Sequence, residues 1–400
     1  MAMHKAVALI LAIIVFAPTS LAQGSRIESP PDKIEFASPI LESETELVVE
    51  YTLTFPSPVA SKYPANNEVP IRAFIPKGRA SKVPVVVLLH YLGANNQKAE
   101  TSLANDLARL GMGSVLVALP YHLGRTPPGY RSGELAIQPD PDALVESMTQ
   151  AVLDVRRAVD WIASRPEFDS TKIGLAGTSL GSIISTLVYA IEPRISASAF
   201  VLGGIDLAHI LWHSSRVVKQ RDRLRRLGFT ESKLREAIAE VEPSRYLNPA
   251  DSRPTFLVTA KFDTVVPPTD AQKLAESLAN EKILRLNTGH YGGVFIQQRV
   301  QRLVARFFEE TFAGKPFEPP KSVYAPTVRL GGISSTDSLV QLGVGFDLWR
   351  SSNDRFVSTL FATPRGPQLF FGGRVDQSIS VGLFAGPRKV SLGVVWSRVL

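Results

Sequence analysis

The sequence predicts an α/β protein: a doubly wound, mostly parallel sheet carrying a C-terminal all-β extension. Three observations carry this expectation. Short, nearly all-apolar runs such as Val85-Val86-Val87-Leu88-Leu89 alternate with segments of helical period, as strands covered on both faces by helices require. Between Thr171 and Ser185 an apolar run stops at Gly177-Thr178-Ser179-Leu180-Gly181 and gives way to a small-residue helical segment. After Pro319-Pro320 the helical period ends, and Gly, Ser, Val, Leu and Phe alternate with turn signals between them.

Composition bounds the class. Four hundred residues exceed a usual single domain, and 44% hydrophobic with 20% charged residues suit a folded core rather than disorder. A net charge of +7 comes with no nucleic-acid motif, so no nucleic-acid partner is expected. The absence of cysteine excludes disulfides, thiolate catalysis and zinc–thiolate sites, and no metal or organic cofactor is expected. Lys5, the apolar stretch AVALILAIIVFA and the small-residue end at Ala22 form a signal-peptide pattern over residues 1–22. The chain is therefore expected to be exported, to a periplasmic, outer-membrane-associated or extracellular place.

Residues 23 to about 45 are polar and contain Pro30-Pro31, which suggests a flexible lead-in. Strands are expected at Leu47 to Phe55, Val69 to Ile75, Pro84 to Leu89 and Gly113 to Leu119. A helix from about Gln97 to Leu110 separates the last two. The segment Asp142 to Ser164 places Val145, Met148, Val152, Val155, Val159 and Ile162 on one helical face. Beyond Ser179, strands are expected at Ala197 to Leu202, Phe256 to Ala260 and Lys282 to Leu286, with a closing helix from Val300 to Phe312. The main domain is thus residues 23–320. A cap insertion at about 205–250 contains the cation-rich run Arg216 to Arg226, read first as a solvated helical face and second as a cap favouring acidic substrates. Residues 321–400 form the β-rich region, with strands at Leu339 to Arg350, Arg355 to Thr363, Gln368 to Val375, Ser378 to Phe384 and Val390 to Val399.

The strand–turn–helix around Ser179 is the arrangement of a nucleophile elbow. A serine at its apex stands clear of the sheet, flanking glycines let strand and helix approach, and the helix N-terminus faces a developing oxyanion. A serine hydroxyl needs a base, and the base an orienting acid, each after a later strand. His290 in Thr288-Gly289-His290-Tyr291 follows the last strand, and Asp263 follows FLVTA; Asp206, at the end of VLGGID, is the alternative acid. Of the six histidines only His290 falls where the base is needed, and His90 reads as a loop brace. Oxyanion donors are expected at the backbone N–H of Leu180 and of Tyr91, with Leu92 the alternative to Tyr91.

These residues resemble the α/β-hydrolase superfamily, most of all the secreted branch of dienelactone hydrolases, acetyl-xylan esterases and prolyl-oligopeptidase-type domains. The resemblance spans about residues 45 to 315 and rests on DVRRAVDWIASRPEFDSTKIGLAGTSLG (Asp154 to Gly181) and on the acid loop Lys261 to Pro267. It implies an α/β-hydrolase fold with Ser179 as nucleophile, Asp263 as acid and His290 as base, acting on a small-molecule ester. Two departures are visible. Many relatives carry His-Gly where this chain has His90-Tyr91, and dienelactone hydrolases proper use a cysteine this chain lacks. Peptide cleavage or acyl transfer on the same triad is the chemical alternative, and a non-catalytic envelope scaffold the alternative of another class.

In the β-rich region Leu342, Val344, Phe346 and Leu348 share one face, with Gln341, Gly343, Gly345 and Asp347 opposite. Such strands suit a small sheet packed on one side. They also suit membrane or self-association through residues 328–400, where about five strands would need several chains to close a barrel. The signal-peptide expectation has a direct readout: protein recovered from its native host should have the intact mass of a chain beginning at Gln23. Retention of Met1 to Ala22 would sink it.

Overall fold

The computed structural model describes residues 25–399 except 80, 322, 324–326, 337, 351–354, 377 and 386–389. The expected signal segment, residues 1–22, lies outside the described residues. The main sheet has nine strands: β1 (Ile40–Glu44), β2 (Val48–Pro56), β3 (Glu68–Pro76), β4 (Val83–Leu89), β5 (Gly113–Val117), β6 (Phe168–Thr178), β7 (Ile195–Val201), β8 (Thr255–Ala260) and β9 (Glu281–Leu286). Their order is β1-β2-β3-β5-β4-β6-β7-β8-β9. The pairs from β5 through β9 are parallel, and β1 to β3 form an antiparallel edge.

The continuous apolar runs are explained by two-sided burial. In β4, Val85, Val87 and Leu89 join the core under α2 (Pro141–Ser164) and α3 (Leu180–Ile191). Val86 and Leu88 join the opposite core, with Leu103 and Leu107 of α1 (Lys98–Arg109) and Phe307 and Phe308 of α8 (Gln297–Phe312). Helix α2 starts where Asp140 accepts from the N–H groups of Asp142 and Ala143 and Pro141 supplies a preset φ. It stops at Arg165, whose helical conformation Pro166 disfavours.

One expectation is corrected at the edge. The composition of the lead-in suggests flexibility, yet Ile40–Glu44 pairs with β2. All five of its residues are exposed, so backbone pairing and the polar contacts of Ser43 with Glu50 and of Glu44 with Lys77 hold the strand, and no apolar alternation marks it. Further back Ile27 is buried, and the Arg156 guanidinium bonds the carbonyls of Ile27, Glu28 and Ser29.

Between β7 and β8 the chain forms α4 (Leu207–His213), α5 (Val218–Arg226) and α6 (Glu231–Ala237), and α7 (Pro268–Glu276) links β8 to β9. After α8 comes a closed antiparallel barrel of β10 (Thr327–Ser335), β11 (Ser338–Arg350), β12 (Phe356–Thr363), β13 (Gly366–Arg374), β14 (Ile379–Ala385) and β15 (Val390–Val399). The sequence reading found five of these strands and missed β10, in which Arg329 and Gly331-Gly332 interrupt the apolar alternation. With β10 present the ring closes within one chain, through its pairing with β15.

The barrel is apolar on both its inner and its outer face. Its interior holds Ile333, Val357, Phe361, Phe370, Phe384 and Val395, and room for these rings comes from Gly345 and Gly393, where a Cβ would strike Phe361 and Phe384. The interior also holds an ion pair, Arg329 Nε to Asp347 Oδ1 at 2.8 Å, with Thr359 Oγ1 donating to the same oxygen at 2.6 Å. Leu342, Val344 and Leu348, which a soluble one-sided sheet would bury, point outwards and are exposed.

Removing one partner of a buried pair strands the other charge. Arg329→Met is expected to lower barrel stability by about 3–5 kcal/mol, and Arg329→Met with Asp347→Leu to recover most of that. Denaturant unfolding followed by tryptophan fluorescence reads the difference. A double variant as unstable as the single would remove the ion pair from the account.

Candidate active site

The site is built at the carboxyl ends of the parallel strands. Where β6 meets α3, Ser179 has φ 55° and ψ −114°, a conformation costly for any residue with a Cβ. The turn is forced by contact. A Cβ on Gly177 would overlap the Gly181 carbonyl, and one on Gly181 would strike the carbonyl oxygens of Leu89 and His90. The Ser179 N–H donates to Val201 O at 2.8 Å, tying the turn to β7. The Ser179 side chain makes no capping bond, and the first N–H groups of α3, like those of any helix, have no intrahelical partner.

His290 follows β9 and Asp263 follows β8, and the structure brings both to Ser179. His290 Nε2 lies 3.0 Å from Ser179 Oγ, and His290 Nδ1 lies 2.7 Å from Asp263 Oδ2. The other Asp263 oxygen accepts from the N–H groups of Val265 and Val266, both at 2.8 Å. A carboxylate can only accept, so Nδ1 carries the proton and Nε2 is free to accept from the serine hydroxyl. Asp206, the alternative acid, is engaged elsewhere. It caps α4 through the His209 N–H and pairs with Arg235 and with Lys273 Nζ.

Tyr91 and Leu180, the expected oxyanion donors, both border the pocket that Ser179 and His290 border, as does Leu92. The loop carrying Tyr91 is braced by two buried histidines. His90 Nδ1 donates to Tyr91 O at 3.0 Å while its Nε2 accepts from the Leu119 N–H. His122 Nδ1 donates to Pro120 O at 2.8 Å, and its Nε2 accepts from the Gly93 N–H at 2.9 Å. Burial pushes His90 down to about 3 and His122 to about 4, so both stay neutral and each can donate at one nitrogen and accept at the other.

The pocket has a volume of about 400 Å³ and apolar walls, among them Leu92, Ile137, Ile183, Leu202, Val266 and Val294. Among the polar side chains on its wall, Glu100 and Gln301 carry no expectation from the sequence, while Arg216 opens the cation-rich run. Glu100 had a signal, since it shares the stripe of Leu103, Ala104 and Leu107 on α1. Burial raises its carboxyl to about 7. The cationic run divides. Arg216 borders the pocket, whereas on α5 Arg225 stacks on Trp212 and Arg221 bonds the Trp212 carbonyl. Beside α4, His209, His213 and Glu231 offer atoms within 4.8 Å of one another; Arg235 holds the Glu231 carboxylate at 2.8 Å, and His209 Nδ1 bonds Asp270 at 2.7 Å.

No family model matches the chain. Two curated proteins, each called uncharacterized and from two strains of Mycobacterium tuberculosis, are 30% identical over 213 residues. That match covers 50% of this chain, and the chain spans about half (47%) of each relative's length. Among solved structures, an acetyl xylan esterase from a Paenibacillus species has a TM-score of 0.54 at 18% identity, over 68% of this chain and 87% of that one. Acetyl xylan esterase 1 from a Thermoanaerobacterium species has a TM-score of 0.55 at 14% identity, over 72% of this chain and 92% of that one. The likeness establishes the fold: residues up to the barrel have the α/β-hydrolase architecture.

Glu100 gives a pH test with a definite sign. Its folded value of about 7 exceeds its ordinary 4.5, so the folded protein loses stability as pH rises from about 4.5 through 7. Glu100→Gln should gain on the wild type across that window by roughly 1.4 kcal/mol per pH unit. Unfolding free energies measured from pH 4.5 to 8 read this, and a pH-independent difference would refute it.

Proposed function

We propose that this chain is an exported serine hydrolase that cleaves carboxylic esters through an acyl-enzyme. The observation that carries the reading is the unbroken hydrogen-bonded line from Ser179 Oγ through His290 to Asp263, at 3.0 and 2.7 Å, starting from a serine in a strained elbow. Ser179 Oγ attacks the ester carbonyl as His290 Nε2 takes its proton. Asp263 holds the Nδ1–H tautomer and stabilises the imidazolium. The N–H groups of Leu180 and Tyr91 receive the oxyanion. His290 passes its proton to the leaving alkoxide, which departs as the alcohol. Water, deprotonated by the same nitrogen, then attacks the acyl-enzyme, and the acid leaves as Ser179 regains its proton.

Two further facts support the ester reading. The fold is shared with proteins named acetyl xylan esterases. The apolar pocket beside Ser179 suits an acyl group better than a charged one.

A fluorophosphonate probe should label the wild type and not Ser179→Ala. Turnover of a soluble acetyl ester should fall by roughly 10⁶-fold in Ser179→Ala or His290→Ala, and by about 10⁴-fold in Asp263→Asn. Asp206→Asn should stay near wild type. Near-normal turnover by folded Ser179→Ala would end the assignment, and a crippled Asp206→Asn would move the acid.

A further inference from the structure

We infer that the C-terminal barrel is a lipid-bilayer anchor that holds the pocket mouth at the membrane, so that the substrate is an ester whose acyl chain comes from the lipid phase. The substrate half rests on the hydrolase reading above; the anchor half does not.

The apolar outer wall carries the argument. Every strand contributes exposed apolar side chains: Leu330, Leu342 (75% exposed), Leu360, Phe371, Leu383 and Trp396 (65%) come from β10 to β15 in turn. The mid-strand charges Arg329 and Asp347 are inside, while the exposed Arg355, Arg365 and Asp376 lie just outside the strand ends. A second copy covers one flank of a cylinder, whereas an apolar belt on every strand is satisfied by a surrounding apolar phase. Four of the six strands run nine residues or more, the length that crosses the hydrocarbon region when tilted. Rings and the ion pair fill the interior, so this is an anchor and not a channel. From residue 327 onward Lys and Arg outnumber Asp and Glu two to one, which complements an anionic lipid surface. Among the described residues no helix is long and apolar enough to cross a membrane, so the belt is the anchoring surface they offer.

The barrel touches the main domain beside the site. Thr327 Oγ1 donates to Asn287 O at 2.8 Å, Arg374 lies over Phe262, and Phe295 packs edge-on against Phe346 at 6.1 Å. These partners flank Asp263 and His290. Exposed Val294 and Phe295 then continue the apolar surface from pocket lip to barrel wall.

The test is flotation of the full chain with vesicles of phosphatidylethanolamine and phosphatidylglycerol. The wild type and Ser179→Ala should both float, and brominated acyl chains should quench the outward tryptophans, a readout that needs no variant. A triple variant, Leu342→Glu, Leu383→Glu and Val394→Glu, should stay at the bottom yet keep its rate on a soluble short ester. On a long-chain ester dissolved in the vesicles it should lose about tenfold or more. Wild-type protein that neither floats nor is quenched, whether monomer or defined oligomer, overturns the anchor. Flotation with equal loss on both esters, or none on the vesicle ester, overturns the substrate half. Flotation of a wild type inactive on every ester leaves the anchor standing and sinks the hydrolase reading.

Discussion

The geometry of the site depends on the approach of strand β6 to helix α3 with no Cβ between them. Gly177 against the Gly181 carbonyl, and Gly181 against the Leu89 and His90 carbonyls, leave the chain one way through residue 179. That way puts Ser179 at positive φ, a strain of order 1–3 kcal/mol. It persists because α3 is packed in the core on one face of the sheet and β6 in the cores on both, and neither can yield without opening cavities. The hydroxyl is thus positioned by packing, and the histidine and acid come to it on the loops after the two later strands.

The surrounding loops are ordered by buried polar groups that are fully used. His90 and His122 each donate to a carbonyl and accept from a backbone N–H. Arg125, with no exposure at all, bonds the carbonyls of Asn66 and Ala118 and pairs with Asp154 at 2.7 Å. Such groups are costly unless satisfied, and once satisfied they admit few alternatives. The loop that offers Tyr91 is consequently framed on a rigid polar bracket.

Much of this was legible in the residues. Apolar runs covered on both faces declare a parallel sheet, and the Gly-x-Ser-x-Gly turn declares the elbow because both glycines are sterically required. That Asp263 and His290 lie next to Ser179 was readable from their places after successive strands. What was hidden has physical causes. Strand β1 buries nothing, so its sequence carries no pattern. Strand β10 turns its arginine inwards, against the usual reading of a charge as solvent-facing. Alternation along Leu342 to Leu348 was visible, but alternation alone does not say which face meets water. Glu100 hid as a charge on an apolar stripe.

The barrel's connectivity bears on how the chain reaches this state. Each hairpin from β10 to β15 joins neighbours in sequence, and the Arg329–Asp347 pair lies within the first of them. The seam is different: Arg329 pairs with Val399, across nearly the whole segment. Loop-closure entropy makes such a pairing slow compared with the hairpins. Until the last strand arrives, the sheet has two open edges and an apolar face, the template on which strands from other chains add. The interval between synthesis and ring closure is therefore when the chain is most open to intermolecular strand pairing.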